Sequence, residues 1–176
     1  MQDDVVLKVE DLRTYFFTRS GVVKAVDGIS FEMKKGETLG VVGESGSGKS
    51  MTAWSILGLV PQPAGRIVSG KIWYMGENLL EKTQAEMREI RGSGLCMVMQ
   101  DPLTSLNPVF NIGKQLIECL RMDTSQPSKS LRSRATNLLA MVNIPAPETR
   151  LAAFPHQLSG GMRQRGVGAI AIARSP

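Results

Sequence analysis

The chain has 176 residues, 42% of them hydrophobic and 21% charged, which suits one α/β domain with a sizeable core. Its longest apolar candidate, Ala53 to Val60, is interrupted by Ser55 and Gly58 and is too short to cross a bilayer, while Asp3 and Asp4 stand where a secretion signal needs positive charge. The net charge of +5 includes arginines at 121, 132, 134, 150, 163, 165 and 174, with Lys129 among them. Aromatics are only 5% of the chain, too few to interleave that set as a stacking platform would need, so it reads as a solvated helical face and no nucleic-acid partner is expected.

Val5 to Leu12 alternates apolar and polar residues as a half-buried strand does, and Tyr15-Phe16-Phe17 follows. After a turn at Arg19-Ser20-Gly21, Val22 to Val26 and Ile29 to Met33 read as two short strands joined by a turn at Asp27-Gly28. Lys35-Gly36-Glu37 then turns the chain into Thr38 to Val42, predicted to be a buried strand. An antiparallel layer is therefore expected to lead into a parallel core.

Gly43-Glu44-Ser45-Gly46-Ser47-Gly48-Lys49-Ser50 matches G-x-x-x-x-G-K-[ST] at every fixed position and is predicted to open a helix from Lys49 to Gly58. A triphosphate is a dense cluster of negative oxygens that the backbone must approach without side chains in the way. Glycines at 43, 46 and 48 allow that approach and the turns that aim successive N–H groups inward. Lys49 supplies a point charge for the β- and γ-phosphates, the Ser50 hydroxyl can ligate Mg²⁺, and the positive end of the helix faces the anion. Residues Gly43, Glu44, Ser45, Gly46, Ser47, Gly48, Lys49, Ser50 and Met51 form the candidate nucleotide site.

Beyond Pro61, Pro63 and Gly65, the run Gly70 to Met75 reads as a strand, and Thr83-Gln84-Ala85-Glu86 has the form of a capping box for a short helix to about Arg91. Leu95 to Met99 is predicted to be a buried strand ending at Gln100. The remainder is helical: Ile112, Leu116, Cys119 and Leu120 share one face, as do Leu131, Ala135, Leu138, Leu139 and Val142. Thr124 to Ser130 reads as a polar connector, and Ser159 as the N-cap of a last helix opened by Gly160-Gly161. Cys96 and Cys119 lack disulfide-motif or metal spacing and read as reduced thiols.

Four features together resemble the ATP-binding subunit of an ABC transporter: the loop at 43–50, Gln100 at a strand end, Leu158-Ser159-Gly160-Gly161-Met162-Arg163-Gln164-Arg165, and the aromatic near residue 16. The run from Gln100 to Pro108, with Pro155-His156-Gln157, is similar to the dipeptide, oligopeptide and nickel import branch. The resemblance implies an α/β P-loop NTPase core with an antiparallel β layer and a helical signature subdomain. The expected extents are 1–100 for the core, 101–165 for the helical subdomain and 166–176 for a helix returning to the core.

In this family Lys49 and Gln100 would be catalytic, with ATP and Mg²⁺ as cofactors. Phe16 would stack on adenine, Tyr15 being the next choice, and Gln100 would reach Mg²⁺ and the attacking water. Ser159, Gly160 and Gly161 would clasp the γ-phosphate held by a second ATP-binding subunit. Membrane permease subunits would be the other partners, at the cytoplasmic face of the inner membrane. His156 does not match the family's switch histidine and is expected to pack or cap near the signature.

The sequence departs from the family beyond the signature. No acidic residue comes after Glu148, so the metal-coordinating Asp, the catalytic Glu and the switch His have no counterparts, and the sequence reads as a truncated front half. The core sheet is then expected to be incomplete at the C-terminus, with Val41, Val42 and one face of the helix from Lys49 partly bare. The alternatives are a fragment that holds ATP without hydrolysing it and an ABC ATPase of non-transport function; the importer-like run at 100–108 argues against the second.

Overall fold

The computed structural model describes residues 4–99, 105–122 and 127–176. Strands β1 (Val5–Thr18) and β2 (Gly21–Lys34) form a long antiparallel hairpin. Its tip is closed by the Thr18 hydroxyl, which donates to the Gly21 carbonyl at 2.8 Å. β3 (Gly65–Tyr74) pairs with the other edge of β1, and the short β4 (Glu77–Asn78) completes an antiparallel sheet of order β2-β1-β3-β4.

The sheet corrects one sequence expectation. Residues 22–26 and 29–33 belong to one strand, and Asp27-Gly28 is an irregularity inside it, not a hairpin turn. At that level all three long strands lose register together. β1 carries an extra residue near Asp11 (φ 43°), and Gly28 and Gly70 have φ of 81° and 106°. A bulge reverses the alternation of side chains. The buried positions of β1 accordingly pass from Leu7 and Val9 to Leu12 and Thr14, so one apolar face continues along a strand whose sequence changes phase. At Gly70 a Cβ would stand 2.6 Å from the Leu12 Cα, so only glycine lets the two paired strands approach this closely at the bulge.

Helix α1 (Lys49–Ile56) packs on this face. It stops two residues before the expected Gly58, which instead adopts φ 63° as a C-terminal glycine. The Leu59 N–H donates to the Trp54 carbonyl and the Gly58 N–H to the Ser55 carbonyl, a paired closure that satisfies carbonyls the helix leaves open.

The two predicted parallel strands are not found as ladder strands. Thr38–Val42 pairs with no strand among the described residues, and Val41 and Val42 are 58% and 96% exposed, as expected for a strand without neighbours. For Leu95–Met99 the pairing among the described residues is a single parallel bridge, Arg91 to Leu95, and Val98 and Met99 are exposed rather than buried. A parallel strand gains stability only from partners on both edges and cover on both faces.

Residues up to Arg88 and from Glu89 onward form two compact units. Helix α2 (Gln84–Ser93) begins with the predicted capping box: the Glu86 N–H donates to Thr83 Oγ1, and the Thr83 N–H to Glu86 Oε2. Its regular part ends where Arg91 and Gly92 leave helical angles.

The second unit contains α3 (Ile112–Arg121), α4 (Ser128–Met141), α5 (Pro147–Arg150) and α6 (Gly160–Ala171). Ile112, Leu116 and Leu120 of α3 meet Leu131, Ala135 and Leu139 of α4 in one core, matching the predicted stripes. Val167, Ala169 and Ala173 join that same core. Through these side chains residues 166–176 pack with the helices before them.

Candidate functional site

The loop before α1 is built around its own lysine. Lys49 Nζ donates to the carbonyls of Gly43 and Glu44 at 2.7 and 2.6 Å and approaches Ser47 Oγ at 3.3 Å, so each ammonium hydrogen has a neutral acceptor. Gly48, at φ 92°, is the residue that turns the loop into the helix. A Cβ there would lie 2.2 Å from the Ala25 carbonyl oxygen of β2, so both its angle and its space demand glycine. At Gly43 a Cβ would stand 2.6 Å from Ser47 Oγ, so a side chain there would make that hydroxyl turn away from its place beside Lys49.

No side chain caps α1 and no acidic residue occupies its first turn. Its first N–H groups and dipole therefore meet no built-in negative charge. Residues Gly43 to Ser47 and Ser50 are exposed, while Gly48, Lys49 and Met51 are partly buried. A cation ringed by exchangeable oxygen partners, beside an uncapped helix start, is suited to a polyanion that takes the place of those oxygens.

β1 sends its two candidate aromatics to opposite faces. Phe16 shares the face of Leu12 and Thr14, and its ring edge fills the space where a Gly65 Cβ would stand. Tyr15 points to the other face, where its O–H donates to Asp27 Oδ1 at 2.5 Å and the Lys24 ammonium lies 5.4 Å from the ring centre. Arg13 adds a fork, donating to Asp27 at 3.0 Å and to Asp11 at 2.9 Å. The Tyr15 hydroxyl and the Lys24 ammonium together hold the Asp27 carboxyl below its ordinary range. Tyr15 is thus committed to a polar network, and Phe16 is the aromatic on the side of α1. Gln100 lies outside the described residues.

In the second unit Ser159 caps α6 as predicted, its Oγ accepting from the Met162 N–H at 3.3 Å, with Gly160 and Gly161 exposed in the first turn. The approach to that cap is held by two side chains the sequence did not single out as structural. Arg163 Nε donates to the Pro155 carbonyl at 2.8 Å, and Gln157 Oε1 accepts from the Phe154 N–H at 2.8 Å. His156 stacks on Phe154 with ring centres 5.7 Å apart, the packing role expected of it.

The arginine-rich set is only partly the solvated face expected. Arg132 and Arg165 are exposed, but Arg163 and Arg174 are spent on backbone carbonyls, Arg174 Nη1 on that of Arg91. Cys96 and Cys119 are free thiols, and burial raises both above the ordinary thiol range. Among the described residues no helix is long and apolar enough to cross a membrane.

A phosphate loop between an antiparallel sheet and a helix, with a serine-capped Ser-Gly-Gly helix in a second unit, defines an α/β phosphate-loop protein. Residues 26–176 match the ABC transporter family, and the chain belongs to that family. It is 44% identical over 173 residues to a probable peptide ABC transporter ATP-binding protein of Sinorhizobium fredii, covering 98% of this chain and 52% of the relative. It is 46% identical over 171 residues to the oligopeptide transport ATP-binding protein OppD of Bacillus subtilis, covering 97% of this chain and 48% of the relative. The chain thus spans about half the length of these relatives.

The fold matches that of a dimeric bacterial ABC transporter cassette with a TM-score of 0.85 at 24% identity, covering 97% of this chain and 70% of that one. Against cbiO1 of Clostridium perfringens, part of the ABC transporter complex cbiONQ, the TM-score is 0.77 at 25% identity, covering 98% and 63%.

Proposed function

We propose that residues 43–51 bind the phosphates of ATP, and that this chain is the nucleotide-binding part of an ATP-binding subunit in a peptide importer. The observation that carries the reading is the Lys49 ammonium held by Gly43, Glu44 and Ser47 beside an uncapped helix start. The branch is supported by relatives whose names specify peptide and oligopeptide transport. Lys49 serves the β- and γ-phosphates, backbone N–H groups from 46 to 50 line the anion, and Phe16 covers the adenine. Ser50 and Gln100 would hold Mg²⁺, whose hard-cation chemistry suits hydroxyl and amide oxygens and which neutralises charge on the transferred phosphoryl group. Ser159, Gly160 and Gly161 meet the γ-phosphate bound by a second ATP-binding subunit, and permease subunits complete the assembly at the cytoplasmic face of the membrane.

Hydrogen exchange tests where the nucleotide sits. Mg·ATP should slow exchange at the amides of residues 43–51, whereas protection elsewhere with none in this loop would refute the assignment.

A further inference from the structure

Three polar side chains are buried among the described residues, Thr14, Thr52 and Ser55, and all lie where β1 meets α1. Thr14 and Ser55 are fully buried, and their hydroxyl oxygens are 2.8 Å apart. Ser55 Oγ also donates its single hydrogen to the Met51 carbonyl, 2.7 Å away. Thr14 must therefore be the donor between the two hydroxyls, and the chain of bonds runs from β1 through Ser55 into the backbone of α1.

An apolar contact tolerates sliding, but a buried hydroxyl pair is satisfied at one relative position of strand and helix. That position matters because of what each element carries. Two residues beyond Thr14, on the same face of β1, is Phe16; at the other end of the helix from Ser55 is the start of α1, with Lys49 and Ser50. The loop is pinned at a second point by the close approach of Gly48 to the Ala25 carbonyl.

We propose that Thr14 is a positioning residue that fixes the spacing between the base-stacking ring of Phe16 and the phosphate loop, through its buried hydroxyl bond to Ser55. The inference rests on the reading of Phe16 as the adenine contact. A nucleotide anchored at both ends needs one base-to-phosphate spacing, and its affinity falls when that spacing drifts. A ligand with phosphates alone is held at one end and is indifferent to the drift. Replacing the Thr14 hydroxyl by a methyl turns a hydrogen-bond distance into a van der Waals contact and pushes α1 outward, while Ser55 keeps its bond to Met51.

The test is calorimetric titration of the chain with Mg·ATP and with inorganic tripolyphosphate, for the wild type, Thr14→Val, Thr14→Ser and Phe16→Ala. Thr14→Val should weaken ATP roughly three- to tenfold while leaving tripolyphosphate unchanged, and Thr14→Ser, which restores the hydroxyl, should restore the ATP affinity. Unchanged tripolyphosphate binding also shows that the variant's loop is folded. Equal weakening of both ligands, or of neither, would overturn the proposal. If Phe16→Ala leaves the wild-type preference for ATP intact, the base-contact reading has failed, and the positioning role falls with it.

Discussion

Asp27 concentrates the polar face of the sheet into one carboxylate, touched by Tyr15, Arg13 and Lys24. Its carboxyl is held below the ordinary range, first by the Tyr15 hydroxyl and then by Lys24. A lowered folded-state value stabilises the fold above the unfolded value and loses that contribution as pH falls through the folded one. Asp27→Asn should therefore be less stable than the wild type at neutral pH, with the gap closing below about pH 4. Urea unfolding across that range checks this, and a pH-independent gap would contradict it. Some of this residue-level detail was legible in the sequence and some was not. Gly43, Gly48, Lys49 and Ser50 are tied by fixed spacing, so the loop announces itself. Thr14 is not, because its role depends on a partner that only the fold brings near, Ser55 at 41 positions away.

At the scale of elements, α6 contains a testable weakness. Gly168 sits inside the helix, and a Cβ there would meet nothing within 4 Å. Its glycine has no packing reason and carries only the entropic cost of a flexible residue in a helix. Gly168→Ala should raise stability by about 0.5–1 kcal/mol, seen as a higher urea midpoint with an unchanged slope. The helices were the legible elements, since the stripes at 112, 116, 120 and 131, 135, 139 repeat at helical spacing and Thr83 with Glu86 marks a start. The strands were less so. Asp27-Gly28 has the composition of a turn, and a bulge uses the same φ > 0 residue for a different purpose. Thr38–Val42 and Leu95–Met99 have strand composition, but a strand is defined by its neighbours, and pairing is not written in composition.

For the whole molecule, family membership was legible because four short motifs occur in one chain, and residues 26–176 match the ABC transporter family accordingly. The division at residue 88 was not, because it depends on which segments pack together. The central claim is that Lys49 and its loop recognise nucleotide phosphates, and calorimetric titration of wild type and Lys49→Ala with Mg·ATP tests it most directly. The variant should lose a charge-assisted contact of roughly 1.5–3 kcal/mol, about tenfold or more in affinity; equal affinity for the two proteins would contradict the account.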